Sequence, residues 1–107
     1  MVEIRTREVE PGTVVVSVDG TLDLDAAPTL RESLHSTIQN GGTNLVVDLV
    51  GVDVIDSTAL GALISGLKAA RKNGGNLRIA GPGEKVQAML ELTGLDRVFK
   101  PEDTPLW

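Results

Sequence analysis

The stretch that decides the fold is Val52-Asp53-Val54-Ile55-Asp56-Ser57-Thr58-Ala59-Leu60-Gly61. Its first part is apolar and β-branched, which favours a strand. After it, apolar residues recur at helical spacing, at Leu60, Leu63, Ile64 and Leu67. The Ser57 hydroxyl is therefore placed where a strand ends and a helix begins. The first amides of a helix lack partners inside it and carry partial positive charge. Such a position suits an anion, including a phosphate attached to that hydroxyl.

Two residues compete to cap this helix. Asp56 and Ser57 are both of the types preferred at a helix N-cap, and capping is the ordinary role of such residues at a strand–helix junction. If Asp56 is the cap, the hydroxyls of Ser57 and Thr58 lie in the first turn of the helix. The spacing of the sequence does not choose between the two arrangements.

Strand patterns occur on both sides of this junction. Strands are predicted over residues 2–9, 14–18, 45–49 and 77–79, and Gly20 is expected to end the second of them. Residues 52–55 either continue the third strand past a bulge or form a short strand of their own. Val98-Phe99 is predicted to be a last short strand. Four to five strands are therefore expected.

Helical patterns separate these strands. One helix is predicted from Asp25, as its N-cap, to Ile38, and a second from about Ser57 to Asn73. A third is predicted over residues 86–93, with Gly94 ending it. Strands that come first and then alternate with helices predict an α/β fold, in which a mixed sheet is covered by three or more helices. The 107 residues are expected to form a single domain, 1–107.

Composition excludes several classes of function. The chain contains no cysteine, so thiolate metal sites and thiol nucleophiles are excluded. Its net charge of −5 disfavours nucleic acid as a partner. No apolar run reaches the ~18 residues of a membrane span, and the first residues do not resemble a signal peptide. A cytoplasmic location with no cofactor, no metal and no membrane insertion is the expectation.

Ordinary catalytic groups are not arranged for catalysis. Asp23 follows a strand and could share a sheet edge with Asp56. For both carboxylates, a role in a turn or a helix cap is favoured over metal binding or acid–base chemistry. Asp48, inside an apolar strand, is predicted to anchor a loop through hydrogen bonds. His35 is expected on the polar side of its helix, facing away from Ser57, which argues against a Ser–His relay. The sequence therefore does not predict an enzyme.

The order and spacing of several motifs resemble the STAS domain, named for sulphate transporters and anti-sigma factor antagonists. More narrowly, the chain is similar to the stand-alone bacterial anti-anti-sigma factors, from the strand at Val14 to Phe99. The motifs are Gly20-Thr21-Leu22-Asp23, Leu45-Val46-Val47-Asp48-Leu49, Val54-Ile55-Asp56-Ser57-Thr58-Ala59-Leu60-Gly61, Gly74-Gly75-Asn76-Leu77 and Leu92-Thr93-Gly94-Leu95-Asp96-Arg97-Val98-Phe99.

The resemblance implies a partner-switching cycle. The unmodified protein would bind an anti-sigma factor that is also a serine kinase and so release a sigma factor. Phosphorylation of Ser57, with Thr58 as the alternative acceptor, would break the complex, and a serine phosphatase would reset it. The implied partner-binding residues are Asp23, Asp56, Ser57, Thr58 and Gly61. The rival implication is a STAS subunit of an ABC-type membrane-transport assembly that regulates its ATPase without phosphorylation.

The chain departs from the family pattern in two places. Thr58-Ala59 stands where many members have Ser-Gly. Residues 100–107 are short and interrupted by proline where the family often has a final helix, and Trp107 is expected to fold onto the body or to contact a partner. The oligomeric state stays open, because edge strands can pair.

Overall fold

A single four-stranded sheet organises the domain. The computed structural model describes residues 2–99 and 101. The strands are β1 (Val2–Glu10), β2 (Thr13–Leu22), β3 (Asn44–Ile55) and β4 (Asn76–Ala80), and they lie in the order β1-β2-β3-β4. A tight turn joins β1 and β2 as an antiparallel hairpin, with Gly12 at a positive φ of 82°. The pairs β2–β3 and β3–β4 are parallel, so the sheet is mixed, as predicted.

Four helices complete the fold of the described residues. They are α1 (Ala27–Gln39), α2 (Ser57–Lys72), α3 (Glu84–Thr93) and the short α4 (Asp96–Phe99). The helices α1 and α2 supply the crossovers that parallel strands need. All four helices contribute to one apolar cluster with alternate residues of the strands, for example Leu34, Leu63 and Phe99 against Val16 and Val47. The predicted helices at 57–73 and 86–93 are confirmed to within a residue or two.

The opposite face of the sheet carries a second, smaller cluster. Its members, Val15, Val46 and Ala80, all lie on strands. Because side chains alternate between the two faces of a strand, they point away from Val16, Val47 and the helices. The described helices therefore cover one face of the sheet.

The long central strand β3 resolves the alternatives left by the sequence. It is continuous over residues 44–55, and its register against β2 shifts between Ser17 and Asp19 and again between Gly20 and Thr21. The bulge alternative is therefore confirmed. The prediction that Gly20 ends β2 is wrong, because β2 runs on to Leu22. Gly20 adopts a φ of 114°, which lets the strand pass through the irregularity without ending.

The predicted strand at Val98-Phe99 is wrong. The amides of Val98 and Phe99 donate to the Leu95 carbonyl at 3.0 and 2.9 Å, which makes this segment a helical turn, α4. Gly94, in the left-handed conformation, ends α3 and reverses the chain, and Phe99 is then fully buried among the helices and strands. Val98 and Phe99 are of residue types that favour a strand, but here they form a helical turn in which Phe99 is buried. The contact predicted for Trp107 lies outside the described residues, as does the rest of the tail at 100–107 apart from Pro101.

Candidate functional site

The carboxyl ends of β2 and β3 meet at one edge of the sheet. The two strands are parallel, and their last residues, Leu22 and Ile55, are paired. The Asp56 amide then donates to the Leu22 carbonyl at 3.0 Å. The loop that follows β2 therefore lies beside the start of α2. The expectation that Asp23 and Asp56 share a sheet edge is confirmed.

Asp56 is the residue that caps α2. Its backbone is extended, and its Oδ1 accepts a hydrogen bond from the Ala59 amide at 2.9 Å. Its carbonyl accepts from the Leu60 amide at 3.0 Å, the first bond of the helix. Ser57 and Thr58 are thus the first two helical residues, and both are exposed. The cap does not use the Ser57 hydroxyl, and Ser57 is an exposed residue at the helix N-terminus.

Asp23 folds the loop between β2 and α1. Its Oδ1 accepts from the amides of Asp25 and Ala26 at 3.1 and 3.0 Å. Its carbonyl accepts from the amides of Ala26 and Ala27 at 3.1 and 2.9 Å. The prediction that Asp25 caps α1 is wrong: the N-cap is Ala26, which has no side-chain cap bond. The side chain that accepts hydrogen bonds from backbone amides before α1 is that of Asp23, two residues earlier than predicted. The Asp25 side chain does not cap the helix, and Asp25 is exposed.

This turn carries Leu24 to the surface beside α2. Leu24 is 65% exposed. A groove of about 320 Å³ lies between the starts of α1 and α2. Its walls include Leu24, Pro28 and Arg31 on one side and Thr58, Gly61 and Ala62 on the other. The sequence patterns do not distinguish Leu24 or Arg31 from other residues. One signal was available for Leu24: it is an apolar residue that does not belong to the apolar stripe of α1.

Three acidic residues lie at or near the ends of β2 and β3. Asp23 and Asp56 each use one carboxylate oxygen on backbone amides, and Asp53 lies just before them on β3. A hydrogen bond from the Thr21 hydroxyl, 3.0 Å from the Asp53 carboxylate, lowers the pKa of Asp53, and the Val54 amide acts in the same direction. Three carboxylates, from Asp23, Asp53 and Asp56, therefore lie at or near this edge, and Arg31 in the wall of the adjacent groove carries the opposite charge.

The other candidate residues lie elsewhere. Asp48 accepts from the Ser17 hydroxyl at 3.2 Å and from the Val50 amide at 3.0 Å, which confirms the predicted anchoring role. His35 is half-buried against α2, not on the outer polar side as predicted, and its Nε2 lies 2.9 Å from the Ser65 hydroxyl. Ser65 is about two helical turns from Ser57, so the His35 ring does not reach the Ser57 hydroxyl.

Among residues 2–99 and 101, no three histidine or acidic side chains are grouped closely enough to hold a metal ion. Over the same residues, no helix combines the length and apolar character needed to cross a membrane.

Comparison with known proteins identifies the family. The family model of the STAS domain matches residues 5–105. The chain belongs to the STAS domain family. The STAS fold predicted from the sequence motifs is therefore confirmed, with the four-stranded mixed sheet and the helices in the expected order.

Individual relatives refine this assignment. An anti-sigma-B factor antagonist of Staphylococcus epidermidis is 39% identical over 80 residues, which cover 75% of this STAS domain and 74% of the relative. The crystal structure of an anti-sigma factor antagonist from Mycobacterium paratuberculosis matches with a TM-score of 0.85 at 27% identity, covering 97% of this chain and 87% of that one. A sulfate transporter family protein from Wolinella succinogenes matches with a TM-score of 0.77 at 21% identity over 92% of this chain and 82% of that one, a likeness of fold alone.

Proposed function

We propose that this STAS domain is an anti-sigma factor antagonist controlled by phosphorylation of Ser57. The unphosphorylated form binds an anti-sigma factor that is also a serine kinase and so releases a sigma factor. The observation that carries the proposal is the exposed Ser57 hydroxyl in the first turn of α2, a turn that Asp56 already caps. The names of the sequence relatives support the same class of function. The proposed role of the domain is regulatory binding and not catalysis.

The fold can accept a phosphate at this position. A phosphoserine carries about −1.5 to −2 charges at neutral pH, and an anion in the first turn is favoured by the helix dipole. The Asp56–Ala59 cap bond does not involve the Ser57 side chain, so phosphorylation leaves it in place. The modified domain therefore stays folded, and the effect of the phosphate falls on binding.

The same phosphate is unfavourable at a packed interface. It adds a bulky, hydrated anion beside Asp56 and Asp23, on an edge that is already acidic. A penalty of about 3 kcal/mol, within the range for an unpaired charge buried at an interface, lowers affinity more than a hundredfold. Phosphorylation thus switches binding by charge and volume, and a serine phosphatase restores the binding form.

Four other residues complete the proposed contact surface with Ser57. Asp23 holds the loop that faces the partner, and Asp56 fixes the start of α2. Thr58 and Gly61 form one wall of the adjacent groove. Thr58 is also exposed and is the alternative acceptor of the phosphate.

Binding and labelling with purified components test the proposal. The wild-type domain and the Ser57→Ala, Ser57→Asp and Thr58→Ala variants are titrated against every kinase-type anti-sigma factor of the source organism. At least one should bind the wild type and Ser57→Ala, and bind Ser57→Asp at least a hundredfold more weakly. Labelled ATP should modify the wild type and Thr58→Ala but not Ser57→Ala.

Three results would contradict the proposal. Equal affinity of all variants would eliminate the switch, and label retained by Ser57→Ala but lost in Thr58→Ala would move the acceptor to Thr58. A chain that takes no label and co-purifies with a transporter ATPase would favour the rival role in an ABC-type transport assembly. At present that rival has the support of a likeness in fold alone.

A further inference from the structure

The second face of the sheet, the one that carries Val15, Val46 and Ala80, is buried although the described helices pack on the opposite face. Val15 and Ala80 are each 1% exposed, and Val46 is 6% exposed. Val15 and Val46 are paired across β2 and β3, so they form one apolar strip in the middle of this face. A sheet face that no other element covers is in contact with water. The burial of this strip therefore requires a cover.

The two ends of this strip carry arginines. Arg7 is paired with Val15 and Arg78 with Val46, so the four side chains form one row from β1 to β4. An arginine stem can shield an apolar neighbour, but both arginines are themselves exposed and each lies at one end of the row. The row has an apolar centre and a positive charge at both ends. A segment that is partly acidic and partly apolar would match it.

A groove of about 380 Å³ extends this row toward the start of the parallel strands. Its walls include Arg78 at the β4 side and Glu10 at the β1 side, together with Thr13, Asn44 and Asn76. The last three are paired with one another across β2, β3 and β4, two residues before the row and on the same face. Their hydroxyl and amide groups can donate and accept hydrogen bonds. The groove therefore offers partners for the backbone of a segment whose apolar side chains cover the strip.

The sequence that follows the described part of the chain has the matching chemistry. Residues 102–107 are Glu-Asp-Thr-Pro-Leu-Trp, with two acidic residues first and two large apolar residues last. They come soon after α4, and α4 packs against β4, which is an edge strand of the described sheet and carries Arg78. Six extended residues reach about 20 Å, whereas β2 lies two strand spacings, about 10 Å, from β4. The segment is therefore long enough to pass the edge at β4 and to reach Val15.

We propose that residues 102–107 of this chain cover the second face of the sheet. The acidic start of the segment lies beside Arg78, at the edge strand β4. Its apolar end, with Trp107, packs on the strip formed by Val15 and Val46. A tryptophan ring supplies a large apolar area, enough to cover two neighbouring valines. The domain then has apolar packing on both faces of its sheet, and this face is closed to a second copy.

Nuclear Overhauser effects (NOEs) locate Trp107 directly, because it is the single tryptophan of the chain. In the 107-residue wild type, the indole protons should show NOEs to the methyl groups of Val15 and Val46. A mixture of labelled and unlabelled copies should show that these NOEs arise within one molecule. Trp107→Ala should remove the cover and lower Tm by about 5–10 °C.

Two valines of β3 provide matched substitutions. Val46→Lys places a charge under the segment, so the NOEs from Trp107 to Val15 should disappear and the tryptophan emission should shift to longer wavelength. Val50→Lys makes the same change on the same strand, at a residue that is 63% exposed. It should leave both the NOEs and Tm unchanged.

A charge exchange tests the acidic start of the segment without disturbing the buried strip. Arg78→Glu should lower Tm and weaken the NOEs from Trp107, because it sets like charges against each other. Adding Glu102→Lys and Asp103→Lys to the same chain should recover at least half of the lost Tm and restore the NOEs. If the added lysines give no recovery, the acidic start does not lie beside Arg78 and the proposed path is wrong.

Three further results would overturn the proposal. One is a wild-type Trp107 indole without NOEs to Val15 or Val46. Another is a set of NOEs that arise only between molecules, which would assign the cover to a second copy. The third is a Trp107→Ala variant with the Tm of the wild type and unchanged methyl shifts of Val15 and Val46, which would leave the arginine stems as the cover.

Discussion

Replacing Asp56 by alanine tests how the start of α2 is held. The substitution removes the carboxylate oxygen that accepts the Ala59 amide at 2.9 Å, and it leaves the Leu60 amide bonded to the carbonyl of residue 56. The Ala59 amide is then left without this acceptor in a residue that is buried. We expect a local loss of stability at the helix end where Ser57 is presented.

The magnitude has two parts. Loss of an N-cap side chain lowers the free energy of unfolding by about 1 kcal/mol. Loss of a negative charge at a helix N-terminus removes about 0.3–1 kcal/mol more. The sum for Asp56→Ala is about 1.5 kcal/mol. Asp56→Asn keeps an acceptor oxygen and loses the charge, so about 0.3–1 kcal/mol is expected for it.

Urea unfolding followed by circular dichroism measures both variants. At an m value of about 1.5 kcal/mol/M, Asp56→Ala should lower the midpoint by about 1 M, and Asp56→Asn by about 0.2–0.7 M. Asp25→Ala is the matched control, because Asp25 is exposed and is not the cap of α1. Its free energy of unfolding should stay within about 0.5 kcal/mol of the wild type. If Asp56→Ala and Asp25→Ala have the same midpoint, the capping role assigned to Asp56 is wrong.

Three further predictions concern the core and the surface. Phe99→Ala should lower the free energy of unfolding by about 3–5 kcal/mol, since Phe99 is fully buried, and a loss under 1 kcal/mol in urea unfolding would contradict the packing of α4. Thr21→Val should raise the pKa of Asp53 towards its usual value, because it removes the hydroxyl whose hydrogen bond lowers that pKa. The folded state favours ionised Asp53, so the stabilisation is present above the unfolded pKa of about 4 and disappears as pH falls through the folded pKa. If the Asp53 carboxyl titration measured by NMR is the same in Thr21→Val as in the wild type, this prediction is refuted. Arg5→Ala should change stability by less than about 1 kcal/mol, and by nothing measurable in high salt, since the Arg5–Asp19 ion pair at 2.7 Å is largely exposed; a larger effect that persists in salt would show that this pair has a further role.

Local patterns in the sequence were sufficient for most of the architecture. The β-branched run before Asp56 and the helical spacing after it predict the β3–α2 junction, and Gly94 ends α3 as expected. These signals are informative because the apolar periodicity of a strand or a helix can be seen within a short run of neighbouring residues. The same local reasoning failed at Val98-Phe99, whose residue types favour a strand but which form the helical turn α4, with Phe99 buried in the core and Val98 exposed.

The geometry of the candidate site depended on contacts between distant parts of the chain. Asp56 and Ser57 are equal by residue type, and the choice of Asp56 as cap follows from the extended backbone at the end of β3, which the pairing with Leu22 imposes. The groove joins Leu24 to Gly61 because parallel pairing of β2 and β3 brings α1 beside α2. The sequence by itself therefore determined the fold class and the serine at a helix start, since both are written in short-range periodicity. Tertiary structure alone decided which carboxylate caps, which turns the loop and what surrounds the serine, because these depend on strand register and helix packing.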